Sequence, residues 1–279
     1  MTQSFFLPSL PEPNDTARTS LYEGRVFLLP AFPETLQLLA CVRERLVESL
    51  GSDFRHTQFQ VSGEEYFARI GVLRKQIYTE PNFHKLVEAI IRATGFELSE
   101  TAYDPARLRV VAHAGHENPA AAPVYYGHRD TWYSNSQSMI TWWIPLHDVT
   151  AAESFEFYPD DYLRPVMNDS ERFDFGEWVS EGQEKRIGWQ RRDTGLTATY
   201  PELREIPQGQ RCPVEAKAGQ LLLFSGQHLH QTQKNMTGRT RFSLDFRTVH
   251  VNDHKSGIGA PNVDNRSTGS SLVQYIRPN

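Results

Sequence analysis

The stretch Arg239-Thr-Arg-Phe-Ser-Leu-Asp-Phe-Arg-Thr-Val-His250 alternates polar and apolar residues with a period of two. Successive side chains of a strand leave opposite faces. Arg241, Ser243, Asp245 and Arg247 therefore share one face, and Phe242, Leu244 and Phe246 share the other. A polar stripe of this kind is costly inside a barrel unless ligands or neighbouring charges satisfy it. The alternative is an edge strand with its polar face in water. Working outward, residues 107–113, 137–144, 154–158 and 219–224 are further short runs rich in apolar, β-branched or aromatic side chains, several bounded by Gly, Pro, Asn or Asp. They predict strands. Upstream, residues 33–49, 64–78 and 82–94 carry apolar positions near the helical period. Pro81 separates the last two, and Gly95 supplies a C-terminal cap. Helices first and strands afterwards predict an α+β domain: a β-sandwich or jelly roll with N-terminal helices packed on one face.

The 279 residues suit one domain over 1–279: a mainly helical part to 104, a β-core over 105–250 and a tail over 251–279. Residues 161–210 interrupt the core with aromatics and charges but little periodicity, which predicts a folded insert or lid. The tail is rich in Gly, Ser and Asn and predicts irregular chain. Hydrophobic residues at 39% and charged residues at 23% predict an ordinary core. A net charge of −5 lacks the basic footprint of a nucleic-acid binder. No run of about 18 apolar residues suggests a membrane span. The start lacks a basic, then apolar, leader. Two cysteines, Cys41 and Cys212, make no disulfide framework. The expectation is a cytoplasmic protein with a small-molecule substrate. Its oligomeric state is not legible.

Tyr126-Gly-His-Arg-Asp-Thr-Trp132 sets an imidazole and a carboxylate two residues apart. On a strand end both point to one side. About a hundred residues later Phe224-Ser-Gly-Gln-His-Leu-His230 offers a second imidazole. Two His and one carboxylate on one face of an octahedral ferrous ion leave three sites open for a bidentate co-substrate and dioxygen. His-x-Asp alone is more often a surface pair. His228 and His230 compete for the distal position, because each has an arginine eleven residues on, Arg239 and Arg241. Polar residues at +2, +5 and +7 from His230 (Thr232, Asn235, Thr237) favour His230.

With Arg241 eleven residues beyond His230 and the Trp142-Trp143-Ile-Pro-Leu146 strand after His-x-Asp, the chain resembles the iron(II)/2-oxoglutarate-dependent oxygenases. Within them it is similar to the phytanoyl-CoA-hydroxylase-like branch of small-molecule hydroxylases. The resemblance covers roughly residues 105–250 and implies a double-stranded β-helix core. It implies His128, Asp130 and His230 as metal ligands and catalytic centre, and Arg241 as the grip on the distal carboxylate of 2-oxoglutarate. Ser243 shares the Arg241 face and can add a hydrogen bond. Gln137 or Thr141 is a candidate for the C1 carboxylate end. The expected cofactors are Fe(II), 2-oxoglutarate and O2. The expected reaction is hydroxylation of an unactivated C–H in a sugar acid, amino-acid derivative or natural-product intermediate, with release of succinate and CO2. Related halogenases lack the carboxylate ligand, so Asp130 disfavours halogenation. Desaturation and oxidative dealkylation share the same ligand set.

Arg109, Trp132, His228 and Arg247 are candidate substrate contacts. Arg109 equally suits an outward strand face, and Arg247 equally suits a salt bridge to Asp245. Tyr133 and Asn135 follow Asp130 closely enough to join a pocket mouth. Lys185, Arg186, Arg191 and Arg192 read as a solvated loop face. Two rivals use the same residues: a zinc hydrolase with two His and a carboxylate, and a non-catalytic jelly-roll binding module.

Overall fold

Local signals set the N-terminal layer. After helix α1 (Asn14–Tyr22), helix α2 (Pro33–Leu50) and helix α4 (Pro81–Ala93) each begin on proline, whose missing N–H is no loss in the first turn. Between them, helix α3 (Gly63–Thr79) is capped by the Ser62 hydroxyl, which accepts from the Glu65 amide at 3.2 Å. Gly95 closes α4 at φ +84°, a conformation that favours glycine. The apolar faces of α2, α3 and α4, including Leu38, Leu46, Leu73, Ile77, Val87 and Ile90, are fully buried.

The computed structural model describes residues 4–183 and 200–278. Its strands are β1 (Phe6–Leu7), β2 (Val26–Leu29), β3 (Thr101–Tyr103), β4 (Arg107–Val111), β5 (Met139–Pro145), β6 (Phe155–Phe157), β7 (Cys212–Pro213), β8 (Leu221–Ser225), β9 (His230–Thr232) and β10 (Arg241–His250). The major sheet runs β1-β2-β8-β5-β10-β3, with β4 also paired to β10, and the minor sheet runs β7-β6-β9. The expected mixture of helix and sheet is present. The expected order needs correcting, because β1 and β2 precede the long helices and still join the major sheet. Two and four residues are too few to show a period.

Strand β10 is central rather than at an edge. It pairs with β5 on one side and with β3 and β4 on the other. Its apolar face, Phe242, Leu244 and Phe246, packs under the helices with Ile140, Trp142 and Ile144 of β5. Trp142 stacks on Phe246 at 5.2 Å between ring centroids and meets Phe96 edge-on at 5.3 Å. Each such fully buried ring contributes roughly 1.5–3 kcal/mol of transfer free energy. The other face of β10 turns toward the minor sheet, where Trp143, Phe155, Phe157, Leu222 and Phe224 form a second core. The polar stripe is thus directed into the space between the sheets.

The tail is irregular after a short helix, but it is docked on the body. The Ser271 amide donates to the Ser134 carbonyl at 3.0 Å, and the Thr268 amide donates to the Phe173 carbonyl at 3.0 Å. Of the 161–210 insert, residues 184–199 lie outside the described residues, and with them Lys185, Arg186, Arg191 and Arg192. Among the described residues, no helix is long and apolar enough to cross a membrane.

Candidate metal centre and cavity

His128 pairs through its backbone with His230, each amide donating to the other's carbonyl at 3.0 Å. That bridge brings two segments a hundred residues apart into register. Arg129 then runs extended (φ −104°, ψ 140°), so His128 and Asp130 point to the same side before the chain turns into a 3-10 helix at Asp130–Tyr133. One ligand atom from each of His128, Asp130 and His230 lies within 4.8 Å of the others. His128 Nε2 is 3.7 Å from Asp130 Oδ1.

The surrounding hydrogen bonds aim these atoms inward. Nδ1 of His128 lies 2.9 Å from the Tyr126 carbonyl, and Nδ1 of His230 lies 2.9 Å from the His228 carbonyl. A carbonyl can only accept, so each Nδ1 carries the proton and each Nε2 keeps its lone pair. Burial, then the neighbouring His128, pushes the His230 imidazole down to about 4, which keeps it neutral near pH 7. Burial alone would raise the Asp130 carboxyl; the Arg247 guanidinium and the two imidazoles outweigh it and hold Asp130 well below the usual carboxylate range. The Thr141 hydroxyl donates to Asp130 Oδ2 at 2.7 Å, leaving Oδ1 facing His128 and Arg247. Beneath the carboxylate, a Cβ on Gly226 would sit 2.2 Å from Met139 Cε and 3.2 Å from Asp130 Cβ. Any side chain there would crowd the ligand.

Several expectations need correction at this point. His228 does not share a face with His230, because residues 226–229 form a turn rather than a strand. Its Nε2 lies 3.1 Å from the Gly24 carbonyl, among Phe157, Tyr162 and Phe224, away from the cavity. Trp132 points behind the centre, packs with Tyr158, Val166 and Leu229, and donates to Asp264 at 2.8 Å. The 3-10 turn sends Tyr133, not Trp132, into the cavity, at 5.3 Å from the His128 ring. Gln137 does not line the cavity, whereas Asn135 does. Thr141 lines it, but its hydroxyl is committed to Asp130 rather than free for a carboxylate.

Arg241 is buried to 3% exposure in the space between the sheets. It donates to Ser243 Oγ at 2.6 Å, and its guanidinium lies 5.9 Å from the centre of the Trp143 ring. Its Nε has no partner, and among the described residues no carboxylate forms a salt bridge with it. Burial, then the like charge of Arg109, pushes it down to about 10, so it remains a cation near pH 7. Trp143 meets Phe155 at 5.3 Å, and Phe155 meets the His230 ring at 5.9 Å, so a short run of rings leads from the guanidinium to the triad. Trp143 and Phe155 line the cavity at the triad, while Arg241 and Ser243 lie behind its lining.

The cavity at the triad encloses about 560 Å³. Arg109 faces it and donates to Asp245 at 2.7 Å. Arg247 also faces it, but its main partner is Asp104 at 3.1 Å, with Asp130 at 3.8 Å, and not Asp245. The insert contributes Phe173, Phe175, Trp178 and Tyr200, and the tail contributes Ser271, Gln274 and Tyr275. Neither Asp104 nor the tail residues carried a signal in the sequence, since a carboxylate before proline and scattered polar residues are common anywhere.

The donor set fits ferrous iron: two imidazoles aimed through Nδ1 and one ionised carboxylate, each oriented by a second hydrogen bond. The buried guanidinium of Arg241, which no carboxylate meets in a salt bridge among the described residues, fits one end of a dicarboxylate.

Comparison with known proteins agrees. The chain matches the phytanoyl-CoA dioxygenase (PhyH) family over residues 37–243. A search of curated protein sequences finds no match. Among solved structures, EvdO2 from Micromonospora carbonacea var. aurantiaca superimposes with a TM-score of 0.50 at 9% identity, covering 88% of this chain and 94% of that one. ThoJ, described as a non-heme monooxygenase, gives 0.49 at 14% identity, covering 84% and 77%. SnoK, a non-heme alpha ketoglutarate dependent carbocyclase from nogalamycin biosynthesis, gives 0.44 at 14% identity, covering 92% and 95%. At 9% identity the likeness to EvdO2 is one of fold alone. The family match spans most of the chain and contains both segments of the triad, and the chain belongs to the phytanoyl-CoA dioxygenase family of iron- and 2-oxoglutarate-dependent oxygenases.

Proposed function

We propose that the enzyme hydroxylates an unactivated C–H bond of a small polar or acidic metabolite, consuming 2-oxoglutarate and O2 and releasing succinate and CO2. In this reading His128, Asp130 and His230 hold the iron, while Arg241 and Ser243 hold the far carboxylate of 2-oxoglutarate. The chain is one domain, and its two sheets are the halves of a double-stranded β-helix that encloses the cavity.

The observation that carries the reading is Arg241, a buried cation with an unpartnered Nε and no acid against it among the described residues. Such a group is costly unless an anion completes it. A guanidinium meets a carboxylate through two parallel bonds that lysine cannot reproduce. A zinc hydrolase or a binding module gives that cation no task. When bound, the iron would activate O2 as the oxidant, with 2-oxoglutarate giving two of the four electrons as it becomes succinate and CO2. The chain's own residues do the rest. Tyr126 and His228 carbonyls fix the two imidazoles, Thr141 fixes Asp130, and the aromatics of the insert exclude water.

Anaerobic titration tests the reading. A weak visible charge-transfer band should appear only when both Fe(II) and 2-oxoglutarate are present. No band, together with no stimulated succinate release, overturns it. Mass analysis of the product then separates hydroxylation (+16) from desaturation (−2).

A further inference from the structure

The cavity lining has two features beyond the groups assigned to iron and 2-oxoglutarate, an excess of positive charge and a run of aromatic rings. Five lining side chains are cationic (Arg74, Lys75, Arg107, Arg109, Arg247) against three carboxylates (Asp104, Asp130, Asp245), an excess of two positive charges. A ferrous ion adds two and 2-oxoglutarate removes two, so the excess persists in the loaded site. The carboxylates are also already shared. Asp104 serves both Arg107 and Arg247, Asp130 faces the metal position and Arg247, and Asp245 serves Arg109. Arg109 keeps 41% of its side chain exposed, and Lys75 stands exposed at the rim.

The second feature is a continuous run of rings. Tyr133 lies 5.6 Å from Phe173 and 6.1 Å from Tyr200, Phe173 lies 6.5 Å from Phe175, and Phe175 lies 5.6 Å from Trp178. Edge-on and tilted rings of this kind present faces and edges to another flat or cyclic body.

We propose that the substrate is a ring-bearing anion, its ring against Tyr133, Phe173, Phe175 and Trp178 and its carboxylate or equivalent oxyanion against Arg109 and Lys75. This rests on the oxygenase reading for the position of the reacting carbon, but the recognition itself belongs to the two features.

The test is binding of 2-naphthoate to the anaerobic enzyme saturated with Fe(II) and 2-oxoglutarate, read by calorimetry while the charge-transfer band is watched. The expected result is saturable binding with the band retained, about tenfold weaker for the neutral 2-naphthamide, as a lost charge-assisted hydrogen bond requires. Hexanoate, which keeps the charge and lacks the ring, should also bind weakly. Arg109→Gln should weaken naphthoate about tenfold and leave naphthamide within about twofold. Trp178→Leu should weaken both, by roughly threefold or more. Equal binding of naphthoate and naphthamide, no binding of either, or loss of the band on adding naphthoate overturns the proposal. The last result would place the ligand in the 2-oxoglutarate position. Because the comparison of ligands uses the unaltered protein, misfolding of a variant cannot decide it. A band without naphthoate binding leaves the oxygenase reading standing and this proposal refuted; naphthoate binding with neither a band nor stimulated succinate release overturns the oxygenase reading instead.

Discussion

Replacing Asp264 by alanine should unsettle the metal centre from behind. Asp264 lies in the tail, 4% exposed, and receives Arg129 Nε at 3.1 Å on both oxygens, Trp132 Nε1 at 2.8 Å and the Val166 amide at 3.0 Å. Arg129 stands between His128 and Asp130 in the chain but points the other way, fully buried. It also donates to the carbonyls of Gln227, Asp161 and Arg164 at 2.6, 2.8 and 2.9 Å. Without Asp264 those three carbonyls solvate the guanidinium, and the nearby Asp161 carboxylate is already engaged by Arg164 at 2.6 Å. Removing one partner of such a buried pair costs about 3–5 kcal/mol. The orphaned indole and amide, at roughly 1–3 kcal/mol each when buried, push the figure to the upper end of that range rather than adding to it in full.

For a chain of this length the loss corresponds to a fall in melting temperature of roughly 10 °C. Loosening Arg129 also loosens the turn that aligns His128 with Asp130, so iron affinity should drop by about tenfold or more. Urea unfolding of the metal-free protein gives the first quantity, and titration of the charge-transfer band gives the second. The double variant Arg129→Met/Asp264→Leu should recover part of the stability, because it removes the bare charge but still leaves the indole, the amide and the three carbonyls without these partners. A cost below about 1 kcal/mol for Asp264→Ala, or a double variant no more stable than the single one, would refute the assignment of this pair as the anchor of the motif.

Other outcomes follow from the same geometry. Arg241→Lys should raise the 2-oxoglutarate concentration needed for half-maximal band formation by about tenfold or more, since one ammonium cannot make the paired bonds; equal affinity would remove Arg241 from that role. Thr141→Val removes the hydroxyl 2.7 Å from Asp130 Oδ2 and should weaken Fe(II) binding by about tenfold, measured by competition with a chelator. Phe246→Ala, beneath Trp142, should cost about 3–5 kcal/mol in urea unfolding with the loaded site's spectrum unchanged. His147 accepts from the Phe242 amide at 3.0 Å, and burial pushes it from 6.5 down to about 3. The unfolded chain therefore binds this proton first, and the stability His147 provides is full above pH 6.5 and lost as pH falls toward 3. His147→Gln should flatten that part of the pH–stability curve, seen as a wild-type minus variant difference.

Much of the molecule was legible from local pattern. Period-two alternation placed the Arg241 stripe on one face and Phe242, Leu244 and Phe246 on the other. The helical period placed the three long helices to within a residue or two. Spacing allowed His128, Asp130 and a distal imidazole to meet, and the resemblance carried by Arg241 implied that they do. These features depend on neighbours in the chain, so the chain displays them.

What needed the folded molecule depends on partners far apart. His228 and His230 share the eleven-residue spacing to an arginine, and in the sequence only the polar residues that follow favour His230. The turn at 226–229 and the backbone bridge from His128 to His230 separate them, sending one to the Gly24 carbonyl and the other to the triad. Trp132 and Tyr133 differ only in how a 3-10 turn rotates them. Asp264 sits in a Gly, Ser and Asn-rich tail with no periodicity, and it becomes a buried counter-ion only because the tail returns 135 residues later to Arg129. Arg247 found Asp104 rather than Asp245, because β3 and its flanking chain lie beside β10. A residue's type and face follow from its strand or helix; its partner follows from which distant segment arrives there, and that is decided by packing.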